Sequence, residues 1–344
     1  MTPSSAQGSP AAGVAPVPLL LNRSEVGALL SLADCIPAVE SAFAAHATGA
    51  AFPPALMHVD ADGGEFHYKA GGLRLGERVY TAIKANGGFF QNRARLGLPN
   101  IQGLIILADG SNGCPLAVMD SRDITWLRTA AATAVAAKYL ARPDARVATI
   151  AGCGAQGRVQ LQALTMARRL TTVHVWSRDV AKVDAFARQM SAELSLEVVP
   201  APSLAAAVGV SDIVVTCTPA RRFFVTQDMV APGTFIAAVG ADSPDKQEID
   251  PALLARAAVV CDLTDQCEHV GDLHHAISAG LMKRDQVRGE LGAIIAGQVV
   301  GRRSPDEIVV FDSTGTALQD VAAAAAVYER ALASGRGLRF PFTA

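Results

Sequence analysis

The feature that most constrains this chain is a glycine loop between a strand and a helix. The apolar run Val147–Ala151 leads directly into Gly152, Gly154 and Gly157, and helical spacing follows over residues 156–169. In this setting the first glycine permits a sharp turn, the second lets the backbone approach a pyrophosphate, and the third lets helix and strand pack closely. The start of the helix suits the phosphates. The loop therefore predicts a dinucleotide-binding Rossmann domain, and the alternative is an ordinary tight turn.

The end of the next strand bears on which dinucleotide is bound. About 20 residues after the loop, NAD-binding domains place an acidic side chain that holds the ribose 2′-hydroxyl. Here the run at residues 173–177 ends in Ser177 and Arg178, and no carboxylate stands at that point. Because a guanidinium pairs with phosphate through two charge-assisted hydrogen bonds, these residues favour NADP(H). NAD(H) remains possible if Arg178 is only a solvated loop residue.

Hydrophobic spacing on either side of Pro143 predicts two kinds of sheet. After it, β-rich runs alternate with helical or turn segments, which is typical of a parallel, doubly wound sheet; these runs are 147–151, 173–177, 213–218, 234–239, 259–261 and 308–311. Before it, the runs 66–69, 79–84, 104–107 and 116–119, with turn residues at 109–113, predict an antiparallel sheet. Helices are expected over 19–50, with Ser31 and Asp34 as caps, and over 123–140 and 180–194.

The predicted fold class is therefore α/β, a Rossmann doubly wound parallel sheet with a second, α+β domain. Residues 18–142 would form the α+β domain, and residues 143–315 the Rossmann domain. An Ala- and Val-rich helix would begin at residue 316 and return to the first domain, which residues 316–344 would complete. Residues 1–17, rich in Ser, Pro, Ala and Gly, are expected to form a flexible leader.

Composition argues against several classes of partner. The 344 residues carry 30 Lys and Arg against 32 Asp and Glu, and no basic run could follow a nucleic-acid backbone. No apolar segment reaches the roughly 18 residues of a membrane span, and no secretion signal is recognised at the start. The six scattered cysteines do not form a disulfide framework, which fits a reducing cytoplasm. We therefore expect neither nucleic acid nor membrane as a partner.

A metal site and a hydrolase site are also considered and rejected. Potential metal ligands gather between residues 261 and 275, but their spacing matches no zinc pattern, and the adjacent His274 and His275 point different ways on a helix. The ligands in question are Cys261, Asp262, Cys267, His269, Asp272, His274 and His275. We expect no metal. Ser/His/Asp hydrolysis finds no nucleophile elbow in the chain.

Six stretches within residues 79–320 resemble the ornithine cyclodeaminase/μ-crystallin family, which includes archaeal-type alanine dehydrogenases and ketimine or imine reductases. Together they are far more specific than the glycine loop. They are Lys84-Ala85-Asn86-Gly87, Gly97-Leu98-Pro99-Asn100, Ile124 to Ala131, Gly152 to Gly157, Gly240 to Pro244 and Asp312-Ser313-Thr314-Gly315. The resemblance implies that the α+β domain binds substrate and forms a homodimer.

The resemblance also implies roles for individual residues. Lys84 and Arg128 match the lysine and arginine that bind the substrate carboxylate, and Lys84 lies near the reacting carbon. Asp242 matches the aspartate that exchanges a proton with the substrate nitrogen or the attacking group. Positions around the dinucleotide, beyond the three glycines and Arg178, are matched by Asn100, Arg128, Thr129, Ala155, Gln156, Ser177, Thr218, Val239 and Ser313.

One departure from the family concerns the substrate. The family commonly has an arginine after a Pro-x pair as a third carboxylate ligand, whereas Pro53 and Pro54 are followed here by Ala55. Lys69, on a predicted strand nearby, could replace that arginine. The identity of the substrate is therefore left open.

Elementary chemistry supports attention to the same residues. Lys69, Lys84 and Arg128 lie in mainly apolar stretches, where a cation is costly unless an anion such as a substrate carboxylate meets it. The alternative is a salt-bridged or snorkelling side chain. Asp242 follows a strand at the edge where α/β sheets bind ligands, and partial burial would raise its pKa towards neutrality for acid–base work. Alternatively, Asp242 only caps a turn.

Three functions follow as hypotheses. The first is an NAD(P)-dependent oxidoreductase that reduces a small 2-imino acid or oxidises the matching L-amino acid. The second is a redox-neutral cyclodeaminase, in which a side-chain amine attacks the imine, ammonia leaves and the hydride returns. The third is a carrier that binds NADP(H) without turnover.

Overall fold

The computed structural model describes residues 17–342, so the predicted leader lies outside the described residues except for Val17. The strands are β1 (Leu19–Leu21), β2 (Ala51–Ala61), β3 (Gly64–Leu75), β4 (Arg78–Gly88), β5 (Ile101–Asp109), β6 (Pro115–Asp120), β7 (Val147–Ala151), β8 (Thr172–Trp176), β9 (Glu197–Pro200), β10 (Ile213–Thr216), β11 (Arg221–Val225), β12 (Phe235–Ala238), β13 (Gln247–Ile249), β14 (Ala258–Cys261), β15 (Gly289–Glu290), β16 (Val309–Asp312) and β17 (Leu338–Arg339).

The helices are α1 (Arg23–Leu29), α2 (Leu32–Ala47), α3 (Asn92–Leu96), α4 (Arg122–Leu140), α5 (Ala155–Ala167), α6 (Val180–Leu194), α7 (Leu204–Gly209), α8 (Pro251–Arg256), α9 (Thr264–Val270), α10 (Asp272–Ser278), α11 (Leu291–Ile295) and α12 (Ala317–Ser334). Short 3₁₀ turns lie at Gln227–Met229 and Arg284–Gln286. Within residues 17–342, no single helix is long and apolar enough to cross a membrane. The pair α1 and α2 reaches that length and composition, but bends by 81° at its break.

The first large sheet has seven strands in the order β17-β1-β6-β5-β4-β3-β2. Its neighbours are antiparallel except for β1 and β6, so the predicted antiparallel sheet is confirmed. The prediction of helix from residue 19 is wrong at its start, because β1 pairs with strands from distant parts of the chain. Ser31 does cap α2, with Asp34 completing the capping box.

Strand β2 escaped prediction because Pro53 and Pro54 lie within it. Proline lacks the N–H group that a ladder needs, so it normally argues against a strand. Here β2 is the last strand of the sheet, and its register with β3 shifts between Phe52 and Ala55. An edge position tolerates the two prolines.

The second large sheet is the predicted doubly wound parallel sheet. Its eight strands run in the order β15-β14-β16-β12-β10-β7-β8-β9, and every neighbouring pair is parallel. The direction of winding reverses between β7 and β10, which is the point where such sheets bind ligands. The central strands are almost completely buried, as expected when helices cover both faces.

Helix α12 connects the two sheets. It begins just after β16 of the parallel sheet and then packs against α2, α4, β3 and β4 of the other half of the molecule. Most of its residues are buried, among them Gln319 and Asp320. The predicted return of the last helix is therefore confirmed, while the exact domain boundaries at residues 142 and 315 stay predictions.

Candidate active site

The glycine loop lies between β7 and α5, and its glycines meet two steric demands. Gly152 has a φ of +133°, and a Cβ atom there would lie 2.8 Å from the Cys217 carbonyl oxygen. At Gly157 a Cβ atom would lie 1.9 Å from the Gly152 carbonyl oxygen, so no side chain fits. A Cβ atom at Gly154 would face open space, and Gly154 precedes α5 without any side-chain cap. The free N–H groups of Ala155 and its neighbours are therefore available to a phosphate.

Three further predicted cofactor residues lie, like the glycine loop, at the carboxyl ends of the parallel strands. Thr218, Val239 and Ser313 follow β10, β12 and β16, the strands beside and beyond β7. The N–H of Ser313 donates to the Ala238 carbonyl, and the N–H of Val239 donates to the Thr216 carbonyl, both at 2.9 Å. These loops are thereby held next to one another at the carboxyl ends of the strands.

Ser177 and Arg178 follow β8, as predicted. The Ser177 hydroxyl accepts the Asp179 N–H at 3.3 Å, and Arg178 is exposed. The nearby carboxylate of Asp179 caps α6 and pairs with Lys182 at 2.8 Å. Among residues 17–342, no carboxylate without a partner therefore stands directly at the end of β8.

The remaining predicted cofactor residues do not directly follow strands of the parallel sheet, and two of them lie in the antiparallel half of the molecule. Asn100 precedes β5 in the antiparallel half, and its side chain accepts the Arg93 N–H at 3.0 Å. The Thr129 hydroxyl donates to the Thr125 carbonyl within α4. Gln156 lies in the first turn of α5, and its buried amide nitrogen has no hydrogen-bond partner among the described residues.

The three predicted carboxylate ligands form one buried cluster against the start of α12. Lys84 Nζ lies 2.7 Å from Asp320 Oδ2, and Arg128 Nε lies 3.0 Å from Asp320 Oδ1. Lys69 Nζ donates to the carbonyls of Thr314 and Gly315 at 3.0 and 2.6 Å. The side chains of all four charged residues are almost fully buried. Three cations with one carboxylate leave a formal charge of +2.

This charge shifts the protonation equilibria of the cluster. Burial, and the charges of Arg128 and Lys69, lower the pKa of Lys84 to about 7 despite the opposing effect of Asp320. Burial and Arg128 also lower the pKa of Lys69. For Asp320, burial acts to raise the pKa, but Lys84 and Arg128 outweigh it and the pKa is lowered. An added anion would relieve the repulsion among the cations.

Asp242 lies in the loop after β12, and its side chain is 39% exposed. Its Oδ1 lies 2.7 Å from Nζ of Lys246, which also contacts Glu65 Oε1 at 3.0 Å. We predicted a raised pKa, and that prediction is wrong. Burial does act in that direction, but the charges of Lys246, His67 and Lys69 outweigh it and hold the pKa of Asp242 well below its usual range.

A cavity of about 700 Å³ opens beside Asp242. Its walls come from both halves of the molecule: Ser243 and Pro244 from the parallel half, and Pro54, Leu56 and other residues of β2 and β3 from the antiparallel half. Asp242 therefore faces a space large enough for a small-molecule substrate.

Two residues of this site escaped prediction. Asp320 interrupts a long Ala- and Val-rich run, and a carboxylate in such a run is the signal that could have identified it. Lys246 lies four residues after Asp242, but a turn rather than a helix separates them, so spacing alone did not suggest the pair.

The rejected cluster at residues 261–275 serves the backbone instead. Asp262 accepts the N–H groups of Leu263 and Gly315, and Asp272 accepts those of Glu248 and Ile249. His269 is exposed at the cavity wall. Within residues 17–342, three potential metal ligands converge only at His58, Glu65 and His67, which we had not considered.

Glu248 joins the ends of two neighbouring strands. Its Oε1 accepts the N–H and the hydroxyl of Thr218 at 2.7 and 2.6 Å, and its Oε2 accepts the Gly240 N–H at 2.8 Å. Burial and the nearby Asp272 raise the pKa of Glu248 to about 7, and burial raises the pKa of Asp272 to about 6. Fully buried carboxyl groups therefore lie directly behind the dinucleotide loops.

These raised pKa values predict a loss of stability as the pH rises. Unfolded carboxyl groups lose their protons near pH 4, about two to three units below the folded values. At Glu248 and Asp272 the folded state therefore binds more protons in between, and their contribution to the free energy of unfolding falls as the pH rises from about 4 to about 7. Glu248→Gln removes the larger contribution, about 3 kcal/mol. Denaturant unfolding of the wild-type chain and of Glu248→Gln at pH 5 and pH 8 tests this prediction. If the free energy of unfolding depends equally on pH in the two proteins, the prediction is contradicted.

A parallel sheet with a glycine loop, facing buried cations and a carboxylate, defines a dinucleotide-dependent enzyme. The sequence matches the model of the ornithine cyclodeaminase/mu-crystallin family over residues 17–335. The chain belongs to this family, and the fold and class predicted for it are confirmed.

Individual relatives match along almost their whole length. An iminosuccinate reductase of Paracoccus denitrificans is 37% identical, with 92% of this chain and 98% of the relative covered. The structure of Thermococcus litoralis Δ1-pyrroline-2-carboxylate reductase with NADH and L-proline is 33% identical, with a TM-score of 0.88 and coverage of 94% and 100%. The structure of an archaeal alanine dehydrogenase dimer with bound NAD is 36% identical, with a TM-score of 0.89 and coverage of 94% and 99%.

Proposed function

We propose that the chain is an NAD(P)-dependent oxidoreductase that reduces a small 2-imino acid or oxidises the matching L-amino acid. The excess of cationic side chains over carboxylates in the buried cluster of Lys69, Lys84, Arg128 and Asp320 carries this proposal. Buried cations in excess call for an anionic ligand, and a carboxylate accepts hydrogen bonds from ammonium and guanidinium groups. The similar enzymes named above act, by their names, on molecules that carry a carboxylate next to the reacting carbon.

The residues present fit a dinucleotide, because Gly154 leaves open space before the uncapped start of α5. When bound there, the nicotinamide donates or accepts the hydride. The substrate carboxylate lies against Lys84 and Arg128, which orients the neighbouring carbon towards the dinucleotide. Such orientation lowers a reaction barrier by several kcal/mol, of order 7 in favourable cases.

Asp242 moves the proton on the substrate nitrogen in this proposal. Because Lys246 keeps Asp242 ionised, its carboxylate can pair with the positive charge of an ammonium group or an iminium ion, and it accepts the proton on nitrogen when bound substrate weakens its pair with Lys246. The proton returns by the same route when the imine is reduced. Lys246 is thus a positioning residue that sets the charge of Asp242.

A substrate screen tests the proposal. The wild-type chain is mixed with 2-oxo acids, ammonia or methylamine, and each reduced dinucleotide, and with cyclic imines that carry a 2-carboxylate. We expect stoichiometric loss of the reduced nicotinamide absorbance and formation of the amino acid. Ammonia release from a diamino acid without net change in nicotinamide absorbance would instead establish the cyclodeaminase reaction. Dinucleotide binding without any turnover would establish a carrier.

We further propose a preference for NADPH, carried by Arg178. Since Asp179 is held by the start of α6 and by Lys182, Arg178 is the exposed charge nearest the end of β8. We expect Arg178→Ala to weaken NADPH binding about tenfold, because a charge-assisted hydrogen bond is lost, and to leave NADH binding nearly unchanged. Fluorescence titration of both proteins with both reduced dinucleotides measures this. Wild-type protein that binds NADH as tightly as NADPH would contradict it.

We also propose a homodimer formed through the outer face of the antiparallel sheet. Ile83 and Ile106 are cross-strand partners on that face, and with Leu104 and Met57 they are 41–55% exposed. We expect the wild-type chain to have twice the mass of one chain in light scattering, and Ile106→Glu to halve it, because a buried charge is costly. Met166→Glu, at an equally exposed position on α5, is the control. A monomeric wild-type protein would exclude the dimer.

A further inference from the structure

Four potential metal ligands cover the inner face of the hairpin formed by β2 and β3. His58 pairs directly with His67 across the two strands, and Asp60 pairs with Glu65. Because alternate residues of a strand share a face, both pairs lie on one side of the sheet, as neighbours along the same ladder. Lys69, two residues after His67, belongs to that face too. Within the cluster of His58, Asp60, Glu65 and His67, the two histidines line the cavity beside Asp242.

The ligand atoms of three of these residues converge. One atom each from His58, Glu65 and His67 lies within 4.8 Å of the other two. His67 Nε2 is 3.4 Å from Glu65 Oε1, and His58 Nε2 is 4.0 Å from Glu65 Oε2 and 3.0 Å from Asp60 Oδ1. The two imidazole rings meet edge to face, with their centroids 4.7 Å apart. Donors around a zinc ion lie about 3.4 Å apart at bond lengths of roughly 2.1 Å, so small side-chain rotations suffice.

His67 shows that this cluster lacks a ligand. The residue is only 8% exposed, and neither ring nitrogen makes a well-directed hydrogen bond among residues 17–342, although Nε2 lies 3.4 Å from Glu65 Oε1. Leaving a buried polar group unsatisfied costs about 1–3 kcal/mol, and native structures rarely accept this without a function. Nε2 faces Glu65 Oε1 and the ring meets His58 edge to face, so a partner for Nε2 belongs in the space between the three side chains.

Glu65 can serve a metal without losing its ion pair. Its Oε1 faces both Lys246 and His67, whereas its Oε2 faces His58 and accepts no hydrogen bond from Lys246. Imidazole nitrogen and carboxylate oxygen are ligands that Zn²⁺ accepts readily, and two His with one carboxylate leave a fourth position for water. Mg²⁺ and Ca²⁺ prefer oxygen ligands, so a site with two imidazole ligands binds them weakly.

We propose that His58, Glu65 and His67 bind a divalent transition-metal ion, with Zn²⁺ as the occupant, at the cavity wall. The ion supplies a partner for one ring nitrogen of His67 and holds the β2–β3 hairpin in one conformation. Asp60, 94% exposed on its side chain, lies beside His58 and adds negative charge next to the site. The proposal does not depend on the oxidoreductase function.

Metal titration of the untagged, chelator-treated chain tests the proposal. We expect one Co²⁺ per chain, detected by its visible absorption, to be displaced by Zn²⁺ but not by Mg²⁺. His67→Ala and the more exposed variant His58→Ala should each weaken binding at least about tenfold. His46→Ala and His269→Ala are matched controls, because both histidines line the same cavity outside the cluster.

Circular dichroism of each variant shows whether its fold is intact. The His58 variant preserves the test if the His67 variant fails to fold. The proposal is overturned if the wild-type chain binds Co²⁺ no better than a folded His58 or His67 variant. It is equally overturned if a control histidine variant loses binding to the same extent.

Discussion

Asp242→Asn is expected to lower kcat by roughly 10² to 10⁴-fold while the affinity for the dinucleotide barely changes. Asparagine keeps the size of the side chain and can still accept a hydrogen bond from Lys246. It cannot exchange a proton, so the nitrogen of the substrate loses its proton acceptor. Steady-state kinetics on the substrate found by the screen, with dinucleotide binding measured separately, gives both quantities.

Asp245→Asn is the matched control, because Asp245 lies in the same turn but is 66% exposed and pairs with Arg221 at the surface. We expect its kcat to stay within about twofold of the wild-type value. Near-native kcat in the Asp242 variant would remove Asp242 from the mechanism. Joint loss of dinucleotide binding and thermal stability would instead assign Asp242 a structural role in the turn.

Asp320→Asn is expected to destabilise the protein by about 3–5 kcal/mol, because the variant leaves Lys84 and Arg128 buried without the carboxylate that both contact. The loss should be greatest at acidic pH. The pKa of Lys84, already about 7, would fall further without Asp320, so at high pH Lys84 becomes neutral and the repulsion weakens. Melting temperatures of the wild-type chain and of Asp320→Asn, measured from acidic pH to pH values above the pKa of Lys84, give the loss of stability at each pH.

A small carboxylate such as acetate should partly restore the melting temperature of the Asp320 variant, since it can occupy the place of the lost charge. Asp123→Asn is the control, because Asp123 pairs with Arg23 near the surface and its loss should cost no more than about 1 kcal/mol. A variant at Asp320 that is as stable as the control would show that the cluster tolerates its full positive charge.

Local sequence signals determined much of the fold. The glycine loop and the helix Val180–Leu194 were predicted closely because turn chemistry and apolar spacing are properties of neighbouring residues. The strand Leu19–Leu21 was misassigned because its three leucines gain their strand geometry from β6 and β17, far along the chain. The strand Ala51–Ala61 was missed because edge position, which sequence does not reveal, is what tolerates its prolines.

The site was predictable for its residue types and less so for its electrostatics. Lys84, Arg128 and Lys69 were recognised as cations in apolar stretches, and the structure brings them together. Their partner Asp320 lies 236 residues after Lys84, so no spacing rule links them. The direction of the Asp242 pKa shift was wrong for a similar reason. The burial of Asp242 could be predicted from its place after a strand. The positive charges near it could not, because Lys246 comes from the parallel half of the molecule, and His67 and Lys69 come from the antiparallel half.

The return of α12 to the antiparallel half has a consequence for the order in which a ribosome can let this protein fold. The carbonyls that bind Lys69 and the carboxylate between Lys84 and Arg128 all lie at or after residue 314, and are translated only after the whole parallel sheet. Until then, Lys69, Lys84 and Arg128 of the nascent antiparallel half lack the partners that they contact in the folded structure. Its final packing must therefore wait for the last part of the chain, although its own strands are made first.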